Sequence, residues 1–225
     1  TSRKNTVAAI NAKSAQTGVV AIDSGDDYLG VKLTAADGRN IVVASITGTT
    51  SAATGLVAGT SVGSIDLYTL DGRDISISAK TGADQTIANM GFRSGTYKSD
   101  VAQTTTYLRT AQAAVAPSST TTGLLMSNSM IINGVAIGAA LTTDDTASDT
   151  GATSSTRSSS AIAIAAAINK KTSLTGVTAK AEPNILRGTG FTAGAIADLN
   201  INGVAIEIAT GGTTANRDDV ITAIN

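Results

Sequence analysis

The 225-residue chain contains no histidine and no cysteine. The first absence removes the commonest general base, the commonest transition-metal ligand and every histidine-containing triad. The second removes thiol nucleophiles, disulfide staples and thiolate metal sites. Tryptophan is missing too, and the aromatics amount to four Tyr and two Phe, Phe92 and Phe191, so any core is aliphatic. Glu182 and Glu207 are the two glutamates, which leaves a paired-carboxylate hydrolase dependent on aspartates that sit mainly in turn-like contexts. Charge of one sign is also lacking: 16 basic residues against 17 acidic ones give a net charge of −1, with no basic stripe interleaved with aromatics, so no nucleic-acid partner is expected. No apolar run approaches the roughly 18 residues of a spanning helix, and the run Ile131 to Leu141 is broken by Asn133 and Gly134, so no membrane partner is expected either. What is abundant is Gly, at 23 residues, together with Ser and Thr, while Pro occurs only twice. That balance describes many short strands and exposed turns. The expected class is α+β and β-rich, with two small lobes of short antiparallel strands and hairpins under short covering helices. The opening Thr1-Ser2-Arg3-Lys4 has neither an initiator Met nor an apolar signal core and reads as a piece of a longer chain.

Internal repetition is the strongest signal. Ile10-Asn11, Lys13, Thr17-Gly18-Val19 and Ala21 recur, at one constant offset and without a gap, as Ile168-Asn169, Lys171, Thr175-Gly176-Val177 and Ala179. Ile132-Asn133-Gly134-Val135-Ala136-Ile137 recurs unchanged as Ile201 to Ile206, and Ala167-Ile168-Asn169 recurs as Ala223-Ile224-Asn225. Each unit reads as a short strand containing Asn-Gly, a loop, an amphipathic helix and a return strand at Thr-Gly-Val. Ile164 and Ile168 share one helix face, as do Val220 and Ile224. Ser158 to Ser160 offer capping hydroxyls at the helix start, and Lys170 and Lys171 meet its negative end. A further pair, Leu33 with Asp37-Gly38-Arg39-Asn40-Ile41 and Leu67 with Asp71-Gly72-Arg73-Asp74-Ile75, keeps the same internal spacing and reads as two hairpins on type I′ Asp-Gly turns.

The polar stretch between Tyr97 and Gly123 suggests a junction. The expected organisation is residues 1–98 as one outer domain, 99–125 as a connector in which Tyr107 and Leu108 form a crossing strand, and 126–225 as a second outer domain. Residues 142–160, nearly all Thr, Ser, Asp, Gly and Ala, read as an exposed loop.

Chemistry finds little purchase. Asp144, Asp145 and Asp149 suggest a calcium loop, but Ala147 and Thr150 stand where the alternating-ligand pattern after Asp145 needs an oxygen donor and a glycine. Ser14 beside Lys13 and Ser173 near Lys171 are nominal nucleophile dyads at helix C-termini, where Lys is expected in any case. Gly188-Thr189-Gly190 and Gly211-Gly212 lack the Lys of a phosphate loop. The reading assigns no catalytic residue, cofactor or metal, and the chain is read as structural.

Taken together, the Ile-Asn-Gly-Val segments at 132 and 201, the helices ending Ala-Ile-Asn and the Thr-Gly-Val returns at 17 and 175 resemble the repeated IN motif of bacterial flagellins. The paired Asp-Gly-Arg segments and Arg187-Gly188-Thr189-Gly190-Phe191 resemble the central region of long flagellins. The resemblance implies a secreted, extracellular subunit of the flagellar filament whose β-rich outer domains project from it, with polymerising helices lying outside this sequence and contacting other flagellin subunits. It also implies O-glycan acceptors in the hydroxyl-rich loop, at Thr142, Thr143, Ser148, Thr153, Ser154, Ser155 and Ser158, and an outer surface open to host or phage recognition. Filament cap and hook-filament junction proteins share the IN motif, and a secreted adhesin or surface-layer module is the alternative of a different class.

Overall fold

The computed structural model describes residues 3–26, 28–45, 55–98, 107–109, 114–115, 125–149, 156–188 and 199–206. The chain begins with helices α1 (Arg3–Ala12) and α2 (Ser14–Thr17), followed by β1 (Val20–Asp23), β2 (Val31–Ala35), β3 (Ile41–Ser45), β4 (Gly59–Ser61), β5 (Ile65–Thr69) and β6 (Ile75–Ala79). A short helix α3 (Asp84–Asn89) precedes β7 (Gly95–Tyr97), β8 (Tyr107–Arg109) and β9 (Ala114–Val115). Then come β10 (Met130–Ile132), β11 (Val135–Ala136), the helices α4 (Ala161–Asn169) and α5 (Thr172–Thr175), β12 (Val177–Ala181), β13 (Asn184–Arg187), β14 (Leu199–Ile201) and β15 (Val204–Ile206). The fold is α+β and strand-rich, built from small antiparallel sheets with a few short helices. Among the described residues no helix is long and apolar enough to cross a membrane.

The strands form four sheets around two cores. One core is shared by the sheets β1-β2-β13 and β15-β14-β3-β4-β9, and collects Ile10, Val31, Leu33, Ile41, Val43, Leu199, Ile201 and Ile206. The other is shared by β12-β5-β8 and β11-β10-β6-β7, and collects Ile65, Leu67, Ile75, Ile77, Phe92, Met130, Ile132, Ile164 and Ile168. Strand alternation explains the sorting: β2 buries Val31, Leu33 and Ala35 while Lys32 and Thr34 face outward, the pattern of a half-buried strand. Helix α4 is a run of alanines and isoleucines with most of its residues buried, and Ser160 caps it by accepting a hydrogen bond from Ala163 N at 3.1 Å.

The repeats of the sequence are repeats of pairing. Ala21 opposite Leu33 and Ala179 opposite Leu67 are one strand register built from two copies of the same segments. Ile201 opposite Val43 and Ile132 opposite Ile77 are likewise one register built twice. The two lobes are therefore copies of one plan, but in different chain orders. The second lobe runs Asp-Gly-Arg segment, Asn-Gly hairpin, helix and return strand. The first runs helix and return strand, Asp-Gly-Arg segment, Asn-Gly hairpin. One is a circular permutation of the other: the strands between 65 and 181, all inserted in the chain between β4 and β13 of the first lobe, belong to the second lobe except β9, which pairs with β4.

Three expectations change. The Asp-Gly-Arg segments are not hairpins, because β2 and β3 belong to different sheets, as do β5 and β6. Each is an arch that carries the chain from one sheet to the other. Its Asp does not take positive φ, as a type I′ turn would require; only Gly38 (φ 81°) and Gly72 (φ 71°) do. The Asn-Gly segments, read as strand interiors, are the tight hairpin turns: Asn133 and Gly134 have φ 49° and 78°, and Asn202 and Gly203 have 51° and 77°. Finally, a division into 1–98, 99–125 and 126–225 does not separate the cores. An arch leaves its second strand with an open edge, and that edge is filled from the other half of the sequence: β6 by β10, β3 by β14. The expected crossing strand at Tyr107 and Leu108 is present as β8 and pairs with β5. The expected helix at 216–225 lies outside the described residues, as do Phe191 and Gly211-Gly212.

This pairing makes a sharp prediction. With a protease site engineered into 99–124 and cleaved, the two pieces should co-elute on size exclusion as one folded species, separating only in denaturant. Pieces that elute apart, each retaining strand-type circular dichroism, would contradict the cross-pairing.

Candidate functional site

The residues common to both lobes meet at one polar junction. At the end of α1, Asn11 accepts a hydrogen bond from Ala21 N (2.8 Å) and donates Nδ2 to Ala21 O (3.0 Å). Asn169 does the same to Ala179, at 2.8 and 2.9 Å. Among the described residues β1 and β12 are edge strands, so each amide supplies a donor and an acceptor that no neighbouring described strand provides. Next, the chain turns on left-handed Gly18 and Gly176, which end α2 and α5. Thr17 and Thr175 are buried there, and their hydroxyls accept from Val19 N and Val177 N at 3.1 Å.

The Asn-Gly turn joins the same place. Asn202 accepts from Val42 N (2.8 Å) through its side chain, donates its own backbone N–H to Val42 O (3.0 Å), and donates Nδ2 to Thr17 O (2.9 Å). Asn133 repeats all three, with Ser76 N (2.7 Å), Ser76 O (2.9 Å) and Thr175 O (2.9 Å). Asn suits the position doubly, since it tolerates positive φ and carries a donor and an acceptor. The arch completes the junction: Arg39 pairs with Asp37 at 2.7 Å and reaches Thr17 O at 3.4 Å, and Arg73 pairs with Asp71. A Cβ on Gly18 would collide with the Arg39 guanidinium. Helix end, return strand, Asn-Gly turn and arch are thus tied by groups that the motifs supply.

The nominal dyads are not assembled: among the described residues no hydrogen bond joins Ser14 to Lys13 or Ser173 to Lys171, and Lys13 and Lys171 instead accept, through their carbonyls, the Thr17 and Thr175 hydroxyls. The hydroxyl-rich segment is only partly the exposed loop expected. Thr142 and Thr143 are exposed in a 3₁₀ turn (Thr142–Asp144), and Ser158 is half-buried in a second (Arg157–Ser159). Ser148 is 1% exposed and its Oγ accepts from Asn40 N at 3.0 Å, so it is no glycan acceptor while the loop is closed. Thr153, Ser154 and Ser155 lie outside the described residues. Asp145 is fully buried; its Oδ1 accepts from Ala147 N and Ser148 N, and its Oδ2 meets no donor among the described residues. Asp144 pairs with Lys170 at 2.6 Å. Asp149 lies against the Asn-Gly turn, its Oδ1 3.1 Å from where a Cβ on Gly203 would stand. Among the described residues no group of three or more Asp or Glu side chains gathers as a metal site. This loop instead fastens the second lobe's helix to the first lobe's arch, a role invisible in its composition.

Three carboxyls sit below their ordinary value of 3.8. Asp23 is lowered by Gly25 N–H and then by Arg3, whose Nε lies 2.5 Å away. At Asp37 and Asp71 burial pushes upward, but hydrogen bonds and the charge of Arg39 and Arg73 outweigh it. A carboxyl depressed in the folded state contributes stability above its ordinary pKa, and the contribution is lost as pH falls through the lower folded value. With no His to titrate near neutrality, the urea midpoint should be flat between about pH 5.5 and 7 and should fall as pH drops below about 4. A midpoint unchanged at pH 3, or a step near pH 6.5, would contradict this assignment. Separately, Asn202→Ala should cost about 2–4 kcal/mol in urea denaturation, because Val42 N is left buried without an acceptor, and Asn133→Ala should cost less, because Ser76 is only half-buried. Asn202→Gly should recover about 1 kcal/mol by relieving positive φ. Losses below about 0.5 kcal/mol would remove the junction from its central place. A comparison with protein-family models, with curated proteins and with solved structures finds no match to this chain.

Proposed function

We propose that this chain is an outer, surface-exposed portion of a bacterial flagellin, secreted and displayed on the flagellar filament as a structural component. The observation that carries the reading is that the residues resembling the IN motif recur in both lobes: Ile10-Asn11 and Ile168-Asn169, Asn133-Gly134 and Asn202-Gly203, Thr17-Gly18 and Thr175-Gly176. All of them are spent on one repeated junction that builds the fold, and none is gathered into a reactive centre. Filament cap and hook-filament junction proteins share this motif; the paired Asp-Gly-Arg arches favour flagellin. On this reading, contacts with other subunits run through helices outside this sequence, and exposed Thr142 and Thr143 are the acceptors for surface O-glycans.

The reading implies that the chain does not polymerise by itself. Tube assembly needs an extended apolar interface, whereas α1 and α4 spend Ile10, Ile164 and Ile168 on their own cores. The isolated chain should therefore scatter light as a small discrete species, and a full-length protein lacking it should still form filaments visible by electron microscopy. Regular filaments from the chain alone, or a folded and exported deletion protein unable to polymerise, would overturn the role.

A further inference from the structure

We propose that the outer face of the sheet β1-β2-β13 binds a small organic anion, a carboxylate carried on an apolar or sugar-ring body. This does not rest on the filament reading. A groove of about 320 Å³ opens there, and its lining includes the aliphatic Ile22 and Leu29, the cationic Lys32 and Arg187, and Ser24 and Gly188. Such a volume lies at the small end of ligand pockets, roughly 300–1,000 Å³, and suits one ring or a short chain rather than a polymer.

The register places the groups. Ile22 stands opposite Lys32, and Lys32 opposite Arg187, so the three side chains form one row across the sheet on its outer face. Two cations directly opposite one another destabilise a sheet. Among the described residues neither makes an ion pair. The carboxylate lining the groove, Asp23, is already held by Arg3 and by Gly25 N.

The second lobe gives the same row a different charge order. Its equivalent register positions are Lys180, Asp66 and Arg109, with the acid in the middle. In the first lobe the central acid is replaced by Lys32, and the cation on the edge strand by Ile22. The anion that the second lobe carries within its own sequence is thus missing from the first, in the same place where a groove has opened and two aliphatic side chains, Ile22 at 44% and Leu29 at 58%, stay exposed. A lone exposed aliphatic residue is ordinary. Two of them in a concavity, beside two cations that make no ion pair among the described residues, fit a ligand with a carboxylate at one end and an apolar surface at the other. Among the described residues no aromatic side chain lines the groove, so charge dominates the affinity, which salt should weaken.

The test is an NMR titration of the chain with hexanoate, with glucuronate, and with neutral methyl glucoside as control. Saturable amide shifts are expected at positions 22–32 and 186–188 with an acid and not with the neutral sugar. Tighter binding of hexanoate assigns the groove to acyl carboxylates, and tighter binding of glucuronate to sugar acids. Arg187→Gln should weaken binding about tenfold. Lys32→Asp, which restores only the central acid of the second lobe's row and sets it opposite Arg187, should abolish binding while raising the melting temperature, an outcome that misfolding cannot imitate. No saturable shift with either acid, or shifts unchanged in both variants, would overturn the proposal.

Discussion

Everything in this fold hangs on side-chain amides that stand in for missing strands. The sheets are three to five strands wide and the aromatic content is 3%, so neither long ladders nor bulky anchors hold the lobes together. An edge strand buried under a helix has backbone groups pointing at nothing, and each unsatisfied buried group costs about 1–3 kcal/mol. Asn11 and Asn169 answer that cost at β1 and β12, and Asn202 and Asn133 answer it beside β3 and β6. Each pairs one amide oxygen with a backbone N–H and one amide nitrogen with a carbonyl, a geometry neither Asp nor Ala reproduces. The junction is local in space and dispersed in sequence: Asn202, near one end of the described chain, reaches Thr17 near the other.

That dispersion governs how the chain can be divided. The arch leaves its second strand open, the Asn-Gly hairpin fills it, and in the first lobe these two pieces come from opposite ends of the described chain. Closing the first lobe therefore needs most of the second to be made already or to be looped out, a non-local arrangement of the kind that folds slowly. Ser148 and Asp149 add a tie in the same direction, since the segment leading into α4 rests on the arch and Asn-Gly turn of the other lobe.

Much of this is legible in the sequence, and the limits have physical reasons. The constant offsets between repeated segments are offsets of strand register, because residues that make the same junction must keep the same spacing along each element. The helix at 161–169 can be read from its capping serines and its isoleucine spacing. The arches cannot be told from hairpins, because alternation in Val31, Leu33, Ile41 and Val43 reports one buried face and is silent on whether the two strands are hydrogen-bonded to each other. Asn-Gly is the stronger hairpin signal of the two, and its positive φ at both residues is what separates Asn133 and Asn202 from Asp37 and Asp71. The division into halves fails because a strand edge does not name its partner. The loop at 142–160 is misjudged when hydroxyls and carboxylates are equated with exposure, whereas Asp145 turns its own backbone inward and Ser148 satisfies Asn40 N beneath it.

Duplication offers a final handle that a single lobe would not. Positions bearing the same residue in both copies, Asn11 with Asn169, Thr17 with Thr175, Asn133 with Asn202, Arg39 with Arg73, are those whose side chains complete the backbone of the fold. Positions that differ while keeping the same register are released from that duty. Lys32 and Asp66 are such a pair, and so are Ile22 and Lys180. Because the backbone surroundings are repeated, the fold itself does not require the charge reversal between Asp66 and Lys32. What differs is the setting: an acid at the central register position in one lobe, and in the other two facing cations beside exposed aliphatic carbon. In these two pairs the difference falls at register positions turned away from the cores, and recognition is to be sought at such positions rather than at the junctions the repeats preserve.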